Sequence, residues 1–191
     1  MPRPEMIMVC GSNGAGKSTL TYSAQKKSPG ELPFIDPDKI AKERQATPIE
    51  TGRIVSTAVK EYIAAKRSFV RESTLTSNFD FQMLQAAQEN GFKTSLVYVG
   101  IGSADDAVNR VRQRHAKGGH SVPEKDIRRR YARSLENLPK AIRQVDAARV
   151  VDNSGEKYRE VATFEKGALK THEFTPAWFK KPLGALTGNT P

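Results

Sequence analysis

Cysteine is almost absent from this chain of 191 residues. Cys10 is the only one, so no internal disulfide can form, and its place at the end of an apolar run marks it as small core packing rather than a nucleophile. No apolar run is long enough to cross a bilayer. The opening Met1-Pro2-Arg3-Pro4-Glu5 also lacks the apolar core of a secretory signal. These absences predict a cytoplasmic protein with no membrane partner. No linker rich in Pro, Gly or Ser, no internal repeat and no low-complexity block interrupts the chain, which predicts one α/β domain over residues 1–175 and a partly loose tail over 176–191. Two nucleotide-related motifs are missing as well: an Asn/Thr-Lys-x-Asp stretch for reading guanine, and the Leu-Ser-Gly-Gly-Gln stretch of transporter ATPases.

Acidic residues are scarce in one third of the chain. Between Arg110 and Arg143 there are 11 basic residues against Glu124, Asp126 and Glu136, so much of the net charge of +10 is concentrated there. Such a field suits a polyanion, either phosphorylated small molecules or a nucleic-acid backbone. Few aromatic residues interleave the basic run, which argues against stacking on a single strand.

What is present starts with Gly11-Ser12-Asn13-Gly14-Ala15-Gly16-Lys17-Ser18-Thr19. This stretch fits the Gly-x-x-x-x-Gly-Lys-Ser/Thr phosphate-binding loop and follows the apolar run Met6 to Cys10. Glycines let the backbone N–H groups converge on phosphate oxygens, and the helix predicted to follow points its positive end at the same anion. Gly11, Asn13, Gly14, Ala15, Gly16, Lys17, Ser18 and Thr19 are therefore the candidate residues for binding a nucleoside triphosphate. Lys17 would reach the β- and γ-phosphates, and Ser18 would bind Mg²⁺.

The rest of the chain alternates short apolar runs with helical spacing. Strands are predicted near 5–10, 33–36, 68–70, 94–99 and 149–152, and helices over 17–27, 49–67, 78–90, 103–115 and 123–145. That rhythm implies a parallel sheet with helices on both faces. A terminal β-hairpin is expected from 160–164 and 168–174, and Trp178 and Phe179 are expected to pack on the body. Polar loops fall at the carboxyl ends of three strands, where open sheets bind ligands: Asp36 and Asp38, then Glu72 with Thr74, then the basic segment from Arg110 to His120. A base, a polar floor and a positive lid are what phosphoryl transfer to a hydroxyl requires. Asp36 or Asp38, taken alone, also reads as a helix cap. The flanks of the long helix, with Arg128, Arg129 and Arg133, read as solvated faces.

Taken together, Gly11 to Thr19, Ile35-Asp36-Pro37-Asp38-Lys39-Ile40-Ala41, Glu72-Ser73-Thr74-Leu75, Gly118 to Pro123, Arg130-Tyr131 and Asp152-Asn153-Ser154 resemble the zeta-toxin family of P-loop kinases, particularly its short bacterial members. The resemblance implies adenylate-kinase-like strand order, ATP with Mg²⁺, and an acceptor that is a sugar hydroxyl of UDP-N-acetylglucosamine or a related sugar nucleotide. It implies an antitoxin protein as a partner. By position it makes Asp38 the general base and Arg110, with Arg114 one helical turn on, the arginines that neutralise the transferring group. Asp36, Glu72, Thr74 and His120 would line the acceptor pocket. The chain departs from the pattern at Thr76 and His120, where the studied toxins carry arginine, and near Ser56, where they carry an acid. A nucleic-acid-associated P-loop protein, such as a polynucleotide kinase, is the alternative that the basic segment motivates.

Overall fold

The computed structural model describes residues 3–27, 32–119 and 121–188. Its elements run β1 (Glu5–Cys10), α1 (Lys17–Lys27), β2 (Phe34–Ile35), α2 (Pro37–Arg44), α3 (Pro48–Ala64), β3 (Phe69–Ser73), α4 (Asn78–Glu89), β4 (Lys93–Gly100), α5 (Ala104–Ala116), α6 (Glu124–Gln144), β5 (Ala147–Asp152), β6 (Arg159–Glu165), β7 (Ala168–His172), a short 3-10 turn (Ala177–Phe179) and α7 (Lys180–Thr187). One seven-stranded sheet has the order β2-β3-β1-β4-β5-β6-β7. The first five strands are parallel to one another, and β6 and β7 continue the sheet antiparallel as a hairpin. This is the adenylate-kinase-like P-loop order, with β1 at its centre.

Alternation along the central strands sorts the core into two clusters. Met6, Met8 and Cys10 of β1 and Leu96 and Tyr98 of β4 face one way, against Val55, Val59 and Ile63 of α3, Leu84 of α4 and Ile142 of α6. Val9 and Val99 face the other way, against Ala107, Val108 and Val111 of α5 and Ile127 of α6. Such two-sided burial is the signature of a parallel sheet wrapped by helices. The Cys10 thiol is fully buried and its pKa is pushed far up, chiefly by that burial, so it is inert packing.

Three local signals set helix starts. Asp36 accepts hydrogen bonds from the amides of Asp38 and Lys39 ahead of Pro37, Thr47 and Glu50 form a reciprocal capping box, and the Ser103 hydroxyl accepts from the amide of Asp106. Helix α2 lies outside the elements expected from spacing: none of its residues is buried, so it carries no apolar stripe to read. Within the segment expected as a partly loose tail, Ala177–Phe179 forms the 3-10 turn and Lys180–Thr187 forms α7, and Trp178 and Phe179 are buried, in line with their expected packing on the body. The Trp178 indole N–H donates to Asp152 Oδ1 at 2.7 Å, and the ring packs directly on Gly100, where a Cβ would sit 2.1 Å from Cζ2.

Candidate active site

The loops at the carboxyl ends of β1, β2, β3 and β5, together with α5 and α6, line one cleft of about 1340 Å³. Its floor is the loop between β1 and α1. Gly11, Gly14 and Gly16 all have positive φ, which turns successive amides inward. At Gly16 the constraint is also steric, because a Cβ would come within 2.4 Å of Asn153 Nδ2. The loop is clamped from outside by the turn after β5: Asn153 Nδ2 donates to Ala15 O at 2.8 Å, and the Tyr158 hydroxyl donates to Gly16 O at 2.8 Å. Arg130 reaches from α6 to Asn13 Oδ1 at 3.3 Å. Arg130, Asn153 and Tyr158 are site residues that sequence reasoning did not assign. The first two stand within motifs that carried the family resemblance, whereas Tyr158 had no signal.

Lys17 is buried, and its ammonium donates to Ser12 O at 3.0 Å. Burial lowers its pKa, while Glu72 and Asp38 oppose that shift by their charge. Thus the charges of Glu72 and Asp38 act on Lys17 although the three residues come from three elements. Ser18, at the first turn of α1, donates its hydroxyl to Glu72 Oε2 at 3.0 Å. Glu72, near the end of β3, has its carboxyl raised to about 7, first by burial and then by the charges of Asp36 and Asp38, against the pull of Lys17 and of the Ser18 hydrogen bond. A hydroxyl beside a carboxylate is the hard-oxygen donor pair that suits Mg²⁺, which takes few protein ligands.

Asp36 and Asp38 divide their work. Both carboxylate oxygens of Asp36 are committed, Oδ1 to the two cap amides and Oδ2 to the Tyr22 hydroxyl at 3.2 Å. Asp38, the second residue of α2, gives only its amide to the cap, and its side chain is exposed on the cleft wall. The loop after β3 is set by Asp80, whose Oδ1 accepts from Arg71 Nη1 at 2.7 Å and from the Ser73 hydroxyl at 2.8 Å. Within it Leu75 holds a left-handed φ of 57°, fixed by its own amide donating to Ser73 Oγ and by Asn137 donating to its carbonyl. Thr74 lines the cleft there and shares a 2.9 Å hydrogen bond with Thr76.

The opposite rim is the carboxyl end of α5. Arg110 is half-buried, its Nη2 donating to Asn153 O at 2.7 Å, and Arg114 lines the cleft one turn further on. Thr19 is exposed beside Tyr158. His120 lies outside the described residues. Three residues of the basic segment are matched by acids: Arg112 pairs with Glu124, Arg128 with Glu124 and Asp105, and Arg129 with Asp126. Among the described residues no group of three or more His, Cys, Asp or Glu could hold a metal, and no helix is long and apolar enough to cross a membrane.

Comparison with known proteins bears on the family and the fold. The profile of the zeta toxin family matches residues 1–161. An uncharacterized protein of Haemophilus influenzae is 34% identical over 134 residues, 65% of this chain and 91% of that protein. Among solved structures, one from the PezAT chromosomal toxin-antitoxin system of Streptococcus pneumoniae superposes with a TM-score of 0.63 at 17% identity, covering 80% of this chain and 69% of that one. The AvrRxo1-ORF1:AvrRxo1-ORF2 complex with sulphate ions gives a TM-score of 0.67 at 16% identity, covering 88% of this chain and 61% of that one, so this chain spans about three fifths of it. At these identities the two structures speak for the fold.

Proposed function

The chain belongs to the zeta toxin family, and on that premise we propose that it is an ATP-dependent phosphotransferase acting on a hydroxyl of a sugar-like acceptor. The observation that carries this reading is the placement of Asp38: a carboxylate outside the helix cap, on the wall facing Lys17, close enough for its charge to act on that lysine. A P-loop that served simple nucleotide binding needs no such group.

The P-loop amides and Lys17 would hold the β- and γ-phosphates, with Arg110 and Arg114 on the rim over the group in transfer. Mg²⁺, when bound, supplies charge neutralisation at the phosphates, and Ser18 and Glu72 are the residues that would hold it. Asp38 would accept the proton of the acceptor hydroxyl as its oxygen attacks. Glu72 and Thr74 line the acceptor side, and Asp36 supports it by fixing the start of α2. The family resemblance implies UDP-N-acetylglucosamine as acceptor and an antitoxin as protein partner, and a cytoplasmic location fits both. The pairing of Arg112, Arg128 and Arg129 with acids reduces, without removing, the basic field that motivates the nucleic-acid alternative.

The test is to incubate the protein with ATP, Mg²⁺ and a panel of sugars, sugar nucleotides, nucleosides and oligonucleotides, and to read phosphorylated products by mass spectrometry, with Lys17→Ala as control. A phosphorylated sugar formed by the parent and absent with Lys17→Ala is expected. Phosphorylation of oligonucleotide ends alone would sink the reading.

A further inference from the structure

The phosphate loop is held by two of its carbonyls as well as shaped by its glycines. Asn153 Nδ2 donates to Ala15 O and the Tyr158 hydroxyl to Gly16 O, each at 2.8 Å. Among the described residues every peptide bond is trans, and in a trans peptide the carbonyl and the following N–H point in opposite directions. The peptide unit of the Ala15 carbonyl carries the Gly16 amide, and that of the Gly16 carbonyl carries the Lys17 amide. A donor that holds each carbonyl therefore aims the next N–H away from Asn153 and Tyr158. Among the described residues neither amide donates to a backbone carbonyl, so both N–H groups remain for a ligand.

The two donors are themselves fixed. The Asn153 amide donates to Gly100 O at 2.9 Å, which ties the turn after β5 to β4. Beside it, Asp152 Oδ1 accepts from the Trp178 indole at 2.7 Å and from Ser154 Oγ at 2.6 Å. Tyr158 is half-buried against the cluster of Val9 and Val99, and burial raises its pKa, so the hydroxyl keeps the proton it donates. The same hydroxyl shares a hydrogen bond with the Thr19 side chain. Gly16 leaves no slack between loop and turn, since a Cβ there would stand 2.4 Å from Asn153 Nδ2 and 2.9 Å from the Tyr158 hydroxyl.

We propose that Asn153 and Tyr158 are positioning residues, which preset the Gly16 and Lys17 amides toward the phosphates of the nucleotide without touching it. The proposal rests on the kinase reading above in taking this loop as the nucleotide site. Direction is one part of the effect. A hydrogen bond to a carbonyl also polarises its peptide unit, which makes the N–H at the other end a stronger donor. Asn153 extends the arrangement to the rim, because its own carbonyl accepts from Arg110 Nη2 at 2.7 Å. One residue thus sets the spacing between the phosphate loop and a rim arginine before any ligand arrives, and donors that need no reorganisation bind phosphate most effectively.

The experiment titrates ADP, a non-hydrolysable ATP analogue and inorganic tripolyphosphate, each with Mg²⁺, into the full chain and into Tyr158→Phe and Asn153→Ala by calorimetry. Phenylalanine keeps the ring and removes only the hydroxyl. Tyr158→Phe is expected to weaken all three probes by one common factor of about fivefold, because only phosphate contacts change. Asn153→Ala is expected to weaken them by at least as much. Amide NMR of the free proteins supplies a readout tied to the named peptides: the Lys17 resonance is expected to shift in Tyr158→Phe and the Gly16 resonance in Asn153→Ala. Urea unfolding alongside fixes conditions in which every variant is fully folded, so that lost stability cannot pass for lost affinity. Unchanged affinity in folded Tyr158→Phe overturns the proposal. Weakening of ADP and the ATP analogue without tripolyphosphate also overturns it, since the hydroxyl would then act on the nucleoside. Failure of the kinase reading looks different: the parent and the variants bind ADP in the expected ratio, yet no acceptor in the panel is phosphorylated.

Discussion

The Ser18 hydroxyl donates to Glu72 Oε2 at 3.0 Å and joins the first turn of α1 to the end of β3 across 54 residues of sequence. Through it the phosphate loop is tied to a carboxyl group whose pKa stands at about 7, well above its ordinary 4.5. Between those two values the folded chain binds more protons at Glu72 than the unfolded chain does. The stabilising contribution of the protonated form is full below about pH 4.5 and is lost as the pH rises through 7. Glu72→Gln keeps the neutral form at every pH. At pH 8 it should be more stable than the parent by about 1–3 kcal/mol, and at pH 4.5 the two should coincide. Urea unfolding at both pH values checks this, and a difference independent of pH would show that the carboxyl is not raised.

Asp38→Asn separates a base from a cap. Asparagine caps as well as aspartate, and Asp36 already fills that role with 2.9 and 3.1 Å hydrogen bonds, so folding and ATP affinity should be unchanged. Phosphoryl transfer should fall on the order of a hundredfold, because an amide cannot take the proton. Single-turnover kinetics beside ATP titration decide the matter.

Arg110→Ala should lower kcat more than it weakens ATP. The guanidinium sits on the rim and is braced by Asn153 O at 2.7 Å, so it is positioned before any ligand arrives, which is where charge stabilisation in transfer is most effective. A rise in the ATP dissociation constant with unchanged kcat would place Arg110 in ground-state binding alone.

Asp80→Ala should destabilise the fold by about 3–5 kcal/mol, since it leaves the Arg71 guanidinium buried without its counter-charge. Adding Arg71→Met should recover much of that loss. A double-mutant cycle by chemical denaturation measures the coupling, and additive effects would show that the pair is independent.

The phosphate loop, the strands and the acidic loops were legible because each leaves a local trace, glycine spacing, apolar runs, and turn residues at strand ends, whereas the strand order came only with the family resemblance. Helix α2 left no such trace, since nothing in it is buried, and only Asp36 and Pro37 announced its start. The clamp of Asn153 and Tyr158 on the phosphate loop was hidden for another reason. Both side chains reach across 138 and 142 residues to backbone carbonyls, and a carbonyl has no identity in a sequence. The pairing of Arg128 with Asp105 was likewise nonlocal, so a segment that read as a field for a polyanion proved partly neutralised.

Gly100 and Trp178 restrict each other's history. Gly100 lies within the part of the chain matched by the family profile, which ends at residue 161, and Trp178 lies beyond it. A Cβ at position 100 would overlap the indole, with 2.1 Å to Cζ2, and a close-packed interior has no room to yield. Relatives without the terminal segment are free to carry a larger residue at this point of β4, whereas relatives that keep the tryptophan are bound to glycine. A side chain larger than hydrogen at position 100 is therefore incompatible with a tryptophan packed as Trp178 is here.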